Sequence, residues 1–324
     1  MHVLISDYKE QMEQDYTMTI AAIREVLPEA SFAIEPYDTP KFYDELEKAD
    51  GLITAFIPVD KSLLSHAKNL RCISQNAVGY SNVEVEEVKK RNIALCHIEE
   101  YCTREVAEHA IALMMALNHN LKAYAYDMRK NKNWLYQNAP LQETLDHKCL
   151  VIFGYGRIGR VTASLAKGLG MKVAAVDPYV TKEEMEKASV TKMETEEALK
   201  NADVIINHMA LTSENRYFFA EETFEKMERS PLFINVGRGG CVKEEALLHA
   251  LDTKRIAAAG LDVLEEENPD LSKCPFLEKE NVILTPHSAF YSKNSIEKLH
   301  KISGHNLAYY LAGEADQVEG LLLP

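Results

Sequence analysis

Short apolar runs alternate with amphipathic segments along the first hundred residues of the chain. The segments HVLIS, SFAIEPY, GLITAF, CISQNAV and IALCHI have the length and composition of strands, and helical spacing separates them. Strand-like runs that alternate with helix-like segments are typical of βαβ units around a parallel sheet. Residues 1–100 are therefore predicted to form one α/β unit.

A second alternating series begins at residue 149. Its predicted strands are CLVIF, KVAAVD, DVIINHM, PLFINV, IAAAGLDV and NVILTP. A last helix is predicted over 293–312 and ends at Gly313, as helices often do at a glycine. The two series predict two α/β domains, with the second inserted into the first.

The stretch between the two series has a different pattern. Residues 103–126 are predicted to form one long and largely buried helix, with Thr103 as its N-cap and Glu105 in its first turn. Residues 127–148 are polar and contain one tryptophan, Trp134. They are predicted to form an excursion or arm that leads to the second series.

The composition and charge of the chain exclude several kinds of partner, site and location. The 324 residues carry a net charge of −14, which argues against nucleic acid or an anionic membrane surface as a partner. The six cysteines form no C-x-x-C pair and are expected to be buried free thiols, and no metal site is expected. The N-terminus becomes charged too early for a signal peptide, and no apolar run reaches the roughly 18 residues of a membrane span. A cytoplasmic location is therefore expected.

The segment VIFGYGRIG holds Gly154, Gly156 and Gly159 in G-x-G-x-x-G spacing, after a predicted strand and at the start of a predicted helix. In that context, the glycines allow a tight turn, close approach of a pyrophosphate to the backbone, and close packing of the helix on the sheet. Asp177 ends the next predicted strand, where an acid accepts hydrogen bonds from ribose hydroxyls and repels a 2′-phosphate. The segment therefore predicts a site for NAD rather than NADP.

Three further strand ends carry chemically useful side chains. Arg238 follows PLFINV, the acids Glu265–Glu267 follow IAAAGLDV, and His287 follows NVILTP. Taken alone, each also fits a plain structural role, as a surface ion pair, a solvated acidic turn or a histidine at a turn. Because ligands bind beyond the carboxyl ends of strands in open α/β sheets, the three are candidates for one site near a nicotinamide.

These motifs together resemble the D-isomer-specific 2-hydroxyacid dehydrogenase family. The resemblance is carried by NAVGYSNVEVEEVKKRNIAL, TREVAEHAIALMMAL, GYGRIG, VDPY, NADVIINHMALTSENR, LFINVGRGGCVKEEALLHAL, IAAAGLDVLEEE and NVILTPHSAFYS, which span nearly the whole chain. It implies two Rossmann- or flavodoxin-like domains with doubly wound parallel sheets. The substrate domain would comprise residues 1–101 and 290–324, and the NAD domain residues 102–289.

The resemblance also implies roles for individual residues. Arg238 would bind the substrate carboxylate and carbonyl, His287 would be the general acid and base, and Glu267 would orient and tune His287. The cofactor would contact Gly154, Gly156, Arg157, Ile158, Gly159, Asp177, Met209, Ala210, Asn215, Val236, Gly237 and Asp262. The substrate would contact the backbone at Val78 and Gly79, with Tyr101 and Tyr291 nearby.

The implied activity is hydride transfer between NADH and C2 of a 2-oxo acid, giving a D-2-hydroxy acid. The ending Ser288–Tyr291 departs from the glycine-rich sequence of many members and looks more like the D-lactate dehydrogenase and C-terminal-binding-protein branches. Ala210 stands where many members have proline. The second of these branches gives an alternative function, an NAD(H)-responsive partner-binding protein.

Two points stay open at this level. Tyr80, Tyr101, Phe290 and Tyr291 could line the pocket for the substrate side chain or could belong to the core. The family resemblance also implies a homodimer, formed through residues 119–146 around Trp134.

Overall fold

The computed structural model describes residues 1–323 of the chain. The chain divides into two compact units. The first unit contains residues 1–101 together with the segment that begins at Tyr291, and the second unit contains residues 102–290. Each unit has its own sheet and its own apolar core.

The strands and helices follow the alternation expected from the sequence. The strands are β1 (His2–Ile5), β2 (Ser31–Ile34), β3 (Gly51–Thr54), β4 (Cys72–Gln75), β5 (Ala94–Cys96), β6 (Cys149–Phe153), β7 (Lys172–Val176), β8 (Thr191–Lys192), β9 (Val204–Asn207), β10 (Leu232–Asn235), β11 (Ala258–Leu261), β12 (Val282–Leu284) and β13 (Leu321–Leu323). The helices are α1 (Thr17–Val26), α2 (Pro40–Lys48), α3 (Lys61–His66), α4 (Val85–Lys90), α5 (Thr103–Asn118), α6 (Leu121–Lys130), α7 (Arg157–Gly168), α8 (Lys182–Lys187), α9 (Thr195–Asn201), α10 (Glu221–Glu225), α11 (Glu244–Asp252) and α12 (Lys293–Ala312).

The sheet of the first unit has the strand order β13-β5-β4-β3-β1-β2. All neighbouring pairs are parallel except β13 with β5, so an antiparallel edge strand completes a flavodoxin-like order. One face packs against α1 and α12, and the other packs against α2, α3 and α4. Its strand order changes direction between β1 and β3, and the loops after these strands lie at that switch point.

The sheet of the second unit has the order β12-β11-β10-β9-β6-β7-β8, and every pair is parallel. Helices α5 and α7 pack together on one side, and the cluster on the other side takes buried residues from α9, α10 and α11. The expected fold class of two doubly wound sheets is therefore confirmed. Since all these strands run the same way, the loops that follow them collect at one edge of the sheet.

One long helix over 103–126 was a wrong prediction. Helix α5 ends at Asn118, and α6 begins again at Leu121. The break is made by Asn120, whose φ of 52° lies in the left-handed region that asparagine tolerates better than most residues. Helix α6 also extends into the segment predicted as an arm, which then continues through short 3-10 turns at Tyr136–Asn138 and Leu145–His147.

Three short elements were not predicted. Helix α8 and strand β8 lie between the second and third strands of the second unit, in a stretch too polar to show an apolar period. A capping box at Thr181 and Glu184 starts α8. Strand β13 is an apolar triplet that pairs antiparallel with β5 through Leu321 and Cys96.

Among residues 1–323, no helix is both long and apolar enough to span a bilayer. All six cysteines are free, and four of them are buried.

Candidate active site

The glycine loop of the second unit joins β6 to α7. Gly154 has a φ of 91°, a conformation that favours glycine, and a Cβ there would lie 2.9 Å from the backbone of His208 and Met209. Gly156 is different, because a Cβ on it would meet nothing within 4 Å. Open space thus faces the turn at the start of α7, whose first residues are Arg157 and Ile158. This arrangement fits a pyrophosphate held at a helix N-terminus.

Asp177 follows β7, the strand beside β6. Its carboxylate accepts hydrogen bonds from the backbone N–H of Tyr155 at 2.8 Å and of Tyr179 at 2.8 Å. The acid is therefore tied to the glycine loop, while carboxylate lone pairs remain for ribose hydroxyls. The residues of this edge fit a dinucleotide without a 2′-phosphate.

A buried amide pair, which the sequence analysis missed, connects the next two strand ends. Asn207 ends β9 and Asn235 ends β10 in register with it, and the Asn207 Nδ2 donates to Asn235 Oδ1 at 3.0 Å. Asn207 Oδ1 accepts from Met209 N, and Asn235 Oδ1 accepts from Gly237 N. The pair therefore fixes the two loops that carry five of the expected cofactor residues. The repeated asparagine at the ends of VIIN and LFIN was its only signal.

Arg238 follows β10 with extended backbone and a half-buried side chain. Its Nη1 donates to the carbonyl of Gly237 at 2.7 Å, and its own carbonyl accepts from Asn235 Nδ2 at 3.2 Å. Both contacts hold the residue at the edge of the sheet. The charge of Arg238 also acts on Glu267, whose pKa it helps to lower.

The turn after Arg238 lies directly against the loop that leads to Glu267. A Cβ on Gly239 would lie 1.7 Å from the carbonyl oxygen of Leu264, so only glycine fits at this close approach. Glu265, a residue of this loop, is held by the segment after β9, because Arg216 Nη2 lies 2.9 Å from its carboxylate and the Tyr217 hydroxyl also donates to it. The spacing between the arginine and the glutamate of the site is thus set by backbone contact.

His287 and Glu267 form a direct pair. Nδ1 of His287 lies 2.6 Å from Oε2 of Glu267, and the two side chains are 26% and 35% exposed. Burial acts to raise the pKa of Glu267, but the hydrogen bond and charge of His287 and the charge of Arg238 hold it below its usual value. Glu267 is therefore ionised near neutral pH, and Nδ1 is the ring nitrogen of His287 that faces it.

The family resemblance implies that Asp262 lies on the nicotinamide side of the cofactor, and the structure shows which protein groups bind its carboxylate. Its side chain is 1% exposed, and its carboxylate accepts from Thr285 Oγ1, Ser288 N and Ala289 N at 2.5, 2.9 and 2.9 Å. These partners surround His287 in the chain. Asp262 is therefore bound mainly by the loop that carries the histidine.

The remaining expected cofactor residues lie on the loops after β9 and β10. Asn215 closes its own loop, with Oδ1 accepting from Thr212 N and Nδ2 donating to the Ala210 carbonyl. Val236 is buried and donates its N–H to the carbonyl of Asn207 at 3.3 Å. Ala210 is exposed and Met209 half-buried. These contacts show ordered loops and leave their contact with a cofactor as an expectation.

The four aromatic residues whose role the sequence leaves open differ in environment. Phe290 packs edge-to-face on His287, with ring centroids 6.3 Å apart. Tyr291 is 75% exposed and so is not a core residue, whereas Tyr101 is 7% exposed. Tyr80 packs edge-to-face on His97.

The expected substrate residues Val78 and Gly79 lie in the first unit, in the loop after β4. His97 fixes this loop, because its Nδ1–H donates to the Val78 carbonyl at 2.8 Å. Asn82 donates to the carbonyls of Ala55 and Ile57 and so ties the loop to the one after β3. The backbone at Val78 and Gly79 is thus held in place by the side chains of His97 and Asn82.

A buried acid at the switch point of the first sheet was also missed by the sequence analysis. Asp7 follows β1 and accepts from the backbone N–H groups of Ala55 and Phe56 at 2.7 and 3.0 Å. Burial raises the pKa of Asp7 to about 6, although those amide bonds oppose the rise. The residue fixes the loop after β3, and its only signal was one acid directly after an apolar strand.

Comparison with known proteins agrees with this arrangement. Residues 111–289 match the family model described as D-isomer specific 2-hydroxyacid dehydrogenase, NAD binding domain. The hydroxypyruvate reductase of Blautia hydrogenotrophica is 33% identical over 281 residues, which is 85% of this chain and 86% of the relative. The glyoxylate reductase of Korarchaeum cryptofilum is 33% identical over 84% of this chain and 82% of its own length.

A solved structure shows the same architecture over both units. The D-lactate dehydrogenase from Aquifex aeolicus, in complex with NAD and lactic acid, superposes with a TM-score of 0.86 and 27% sequence identity. The match covers 99% of each chain.

Proposed function

The chain belongs to the D-isomer-specific 2-hydroxyacid dehydrogenase family and is an NAD-dependent oxidoreductase, and we propose that it reduces a small 2-oxo acid to the D-2-hydroxy acid through Arg238, Glu267 and His287. The observation that carries the proposal is the His287–Glu267 pair, which holds an imidazole through its Nδ1 at the edge of the dinucleotide-binding sheet. The charge of Arg238 reaches the same glutamate.

Arg238 binds the negative end of the substrate in this proposal. A guanidinium can contact a carboxylate and a neighbouring carbonyl oxygen through its planar fork of N–H groups. Because the Arg238 side chain is held to the Gly237 carbonyl, little side-chain freedom is lost when the substrate binds. The contact also polarises the ketone, since positive charge lies where the oxygen becomes negative.

His287 supplies the proton. Its Nε2–H donates to the substrate oxygen that gains charge as the C2–H bond forms, and the hydroxyl of the product keeps that proton. Glu267 orients the ring through Nδ1 and stabilises its positive charge. A positioned acid of this kind contributes on the order of 10²- to 10⁴-fold in rate.

NADH, when bound, supplies the hydride. The residues that would hold it are the glycine loop with Arg157 and Ile158, Asp177 at the ribose, and the loops fixed by Asn207 and Asn235. Asp262 and the backbone of Val236 and Gly237 would lie on the nicotinamide side.

The substrate is proposed to be a small 2-oxo acid of the hydroxypyruvate, glyoxylate or pyruvate size. The names of the relatives support this range, because they cover reductases of hydroxypyruvate and glyoxylate and a lactate dehydrogenase. The backbone N–H groups at Val78 and Gly79 would bind the carboxylate, and Tyr101 and Tyr291 would contact the rest of the molecule. The proposed location is the cytoplasm, which suits six free thiols.

We also propose a homodimer through residues 119–146. This segment exposes large apolar side chains, with Trp134 at 87%, Tyr136 at 79% and Leu141 at 100%. A concentration of exposed apolar groups is typical of an interaction surface. Sedimentation velocity tests this directly: the parent should run at twice the chain mass of 36.6 kDa, and Trp134→Glu should shift it toward one chain.

The function is tested by oxidation of NADH with a panel of 2-oxo acids, from glyoxylate, pyruvate and hydroxypyruvate to branched and aromatic acids. We expect turnover with at least one small acid and a D-configured product by chiral analysis. Tight NADH binding with no turnover of any acid would favour the partner-binding alternative instead.

A further inference from the structure

The backbone at His287 has an unusual conformation. Its φ is 50°, in the left-handed region that residues other than glycine rarely adopt. Such a conformation is strained and persists only where surrounding contacts hold it. At His287 the backbone N–H donates to the carbonyls of Asp262 at 2.8 Å and of Thr285 at 3.0 Å.

The Asp262 carboxylate fixes the chain on both sides of the histidine. On the N-terminal side of His287, the Thr285 hydroxyl donates to Asp262 Oδ1 at 2.5 Å. After it, Ser288 N donates to Oδ1 and Ala289 N to Oδ2. One buried side chain therefore determines the path of five consecutive residues, with the histidine at their centre.

Helix α5 contributes the outer member of this network. Nε2 of His109 lies 3.0 Å from Thr285 Oγ1 and 3.5 Å from Asp262 Oδ1. The Thr285 hydroxyl has a single proton, which it donates to the carboxylate, so it accepts from His109 Nε2–H. A continuous chain of bonds then runs from His109 through Thr285 to Asp262.

We propose that Thr285 and His109 are positioning residues for proton transfer: through Asp262 they hold the left-handed backbone of His287, so that its ring meets both Glu267 and the substrate. This inference rests on the proposed role of His287 as the proton donor. Neither residue is assigned a contact with substrate or with cofactor. A displacement of about 1 Å at a reacting group can cost on the order of 10²-fold in rate, so loss of this support should appear in kcat.

The substitution that tests the proposal is Thr285→Val, which keeps the shape of the side chain and removes its hydroxyl. We expect kcat for 2-oxo-acid reduction to fall about 10- to 100-fold, while the Kd for NADH, measured by fluorescence, changes less than about twofold. Thr285→Ser restores the hydroxyl and should return kcat to near the parent value. Thr253→Val is the matched control, because its hydroxyl donates only to the His249 carbonyl on an exposed helix end and its kcat should be unchanged.

His109 gives an independent pair of variants on a different element. His109→Leu removes the donor and should lower kcat, whereas His109→Gln retains an N–H that can reach Thr285. If Thr285→Val fails to fold, as judged by circular dichroism, this pair still decides the question.

A double-mutant cycle separates positioning from a general structural role. If Thr285 acts through His287, adding Thr285→Val to His287→Gln should cause little further loss. Three results would overturn the proposal. They are an additive further loss of kcat in the double variant, a loss of NADH affinity in Thr285→Val as large as its loss of kcat, and failure of Thr285→Ser to restore kcat. Parental kcat in Thr285→Val beside a large loss in His287→Gln would refute the positioning role alone. Parental activity in His287→Gln would instead refute the proposed function.

Discussion

Nδ1 of His287 and Oε2 of Glu267 lie 2.6 Å apart, although the two residues follow different strands of the second sheet. The distance fits a charge-assisted hydrogen bond. It fixes which ring nitrogen faces the glutamate. The chemistry proposed for the protein depends on this relationship.

Glu267→Gln keeps an acceptor for Nδ1 and removes the negative charge. We expect kcat/KM for reduction to fall on the order of 10²-fold, with a larger deficit as pH rises, because the protonated imidazole loses its counter-charge. In the parent the pKa of Glu267 lies below its usual value. The carboxylate is therefore charged at every pH above this lowered pKa, and its charge is lost only as the pH falls through it. Profiles of kcat/KM from pH 5 to 9 check this, and superimposable profiles would exclude an electrostatic role for Glu267.

Gly239→Ala tests whether backbone contact sets the spacing between Arg238 and Glu267. A Cβ at 1.7 Å from the Leu264 carbonyl oxygen cannot fit, so the two loops must separate. We expect a fall of about 1–3 kcal/mol in the free energy of unfolding together with a large loss of kcat. Gly168→Ala is the control, because its Cβ meets nothing within 4 Å in helix α7 and should leave activity intact. Normal activity in Gly239→Ala would contradict the spacing argument.

Asp177→Asn should change the choice of cofactor. The substitution removes the charge that repels a 2′-phosphate while keeping an acceptor near Tyr155 N. We expect the ratio of kcat/KM for NADPH to that for NADH to rise on the order of tenfold. Steady-state rates with both cofactors measure it, and an unchanged ratio would mean that Asp177 does not face the ribose.

His208 should make stability depend on pH. Burial lowers the pKa of His208 to about 3, and its Nε2 bonds Thr162 Oγ1 at 2.9 Å, so the ring is neutral in the folded protein. In the unfolded chain the ring takes a proton below its usual pKa of 6.5. The stabilising contribution of the neutral buried ring is therefore fully present above that pH and is lost as the pH falls below it. Between pH 7.5 and 5 the stability of the parent relative to His208→Gln should fall by about 2 kcal/mol. Urea denaturation at the two pH values measures this, and a constant difference would exclude a buried neutral ring.

Much of the fold could be predicted because its signals are local. Apolar runs followed by amphipathic segments identify most strands and helices, and the glycine motif identifies the turn before α7. The break at Asn120 and strand β13 could not be predicted in this way. The first depends on a single left-handed residue inside a helical pattern, and the second on pairing with a strand more than 200 residues away in sequence.

The residues of the candidate site also fall into those with a local sequence signal and those without one. Arg238, Glu267 and His287 could be named from strand ends and a family resemblance, since each stands beside a recognisable motif. Asn207, Asn235 and His109 could not, because their roles arise from register and packing between elements distant in sequence. Residues that position a site carry weaker sequence signals than residues that perform its chemistry.

The most direct test of the central claim is kcat/KM for NADH-dependent reduction of the best small 2-oxo acid, measured for the parent and for His287→Gln. Glutamine preserves a polar side chain of similar reach but cannot act as an acid near neutral pH. The account predicts a loss on the order of 10²- to 10⁴-fold in His287→Gln, with NADH affinity retained. Parental kcat/KM in that variant would contradict the assignment of His287 as the proton donor.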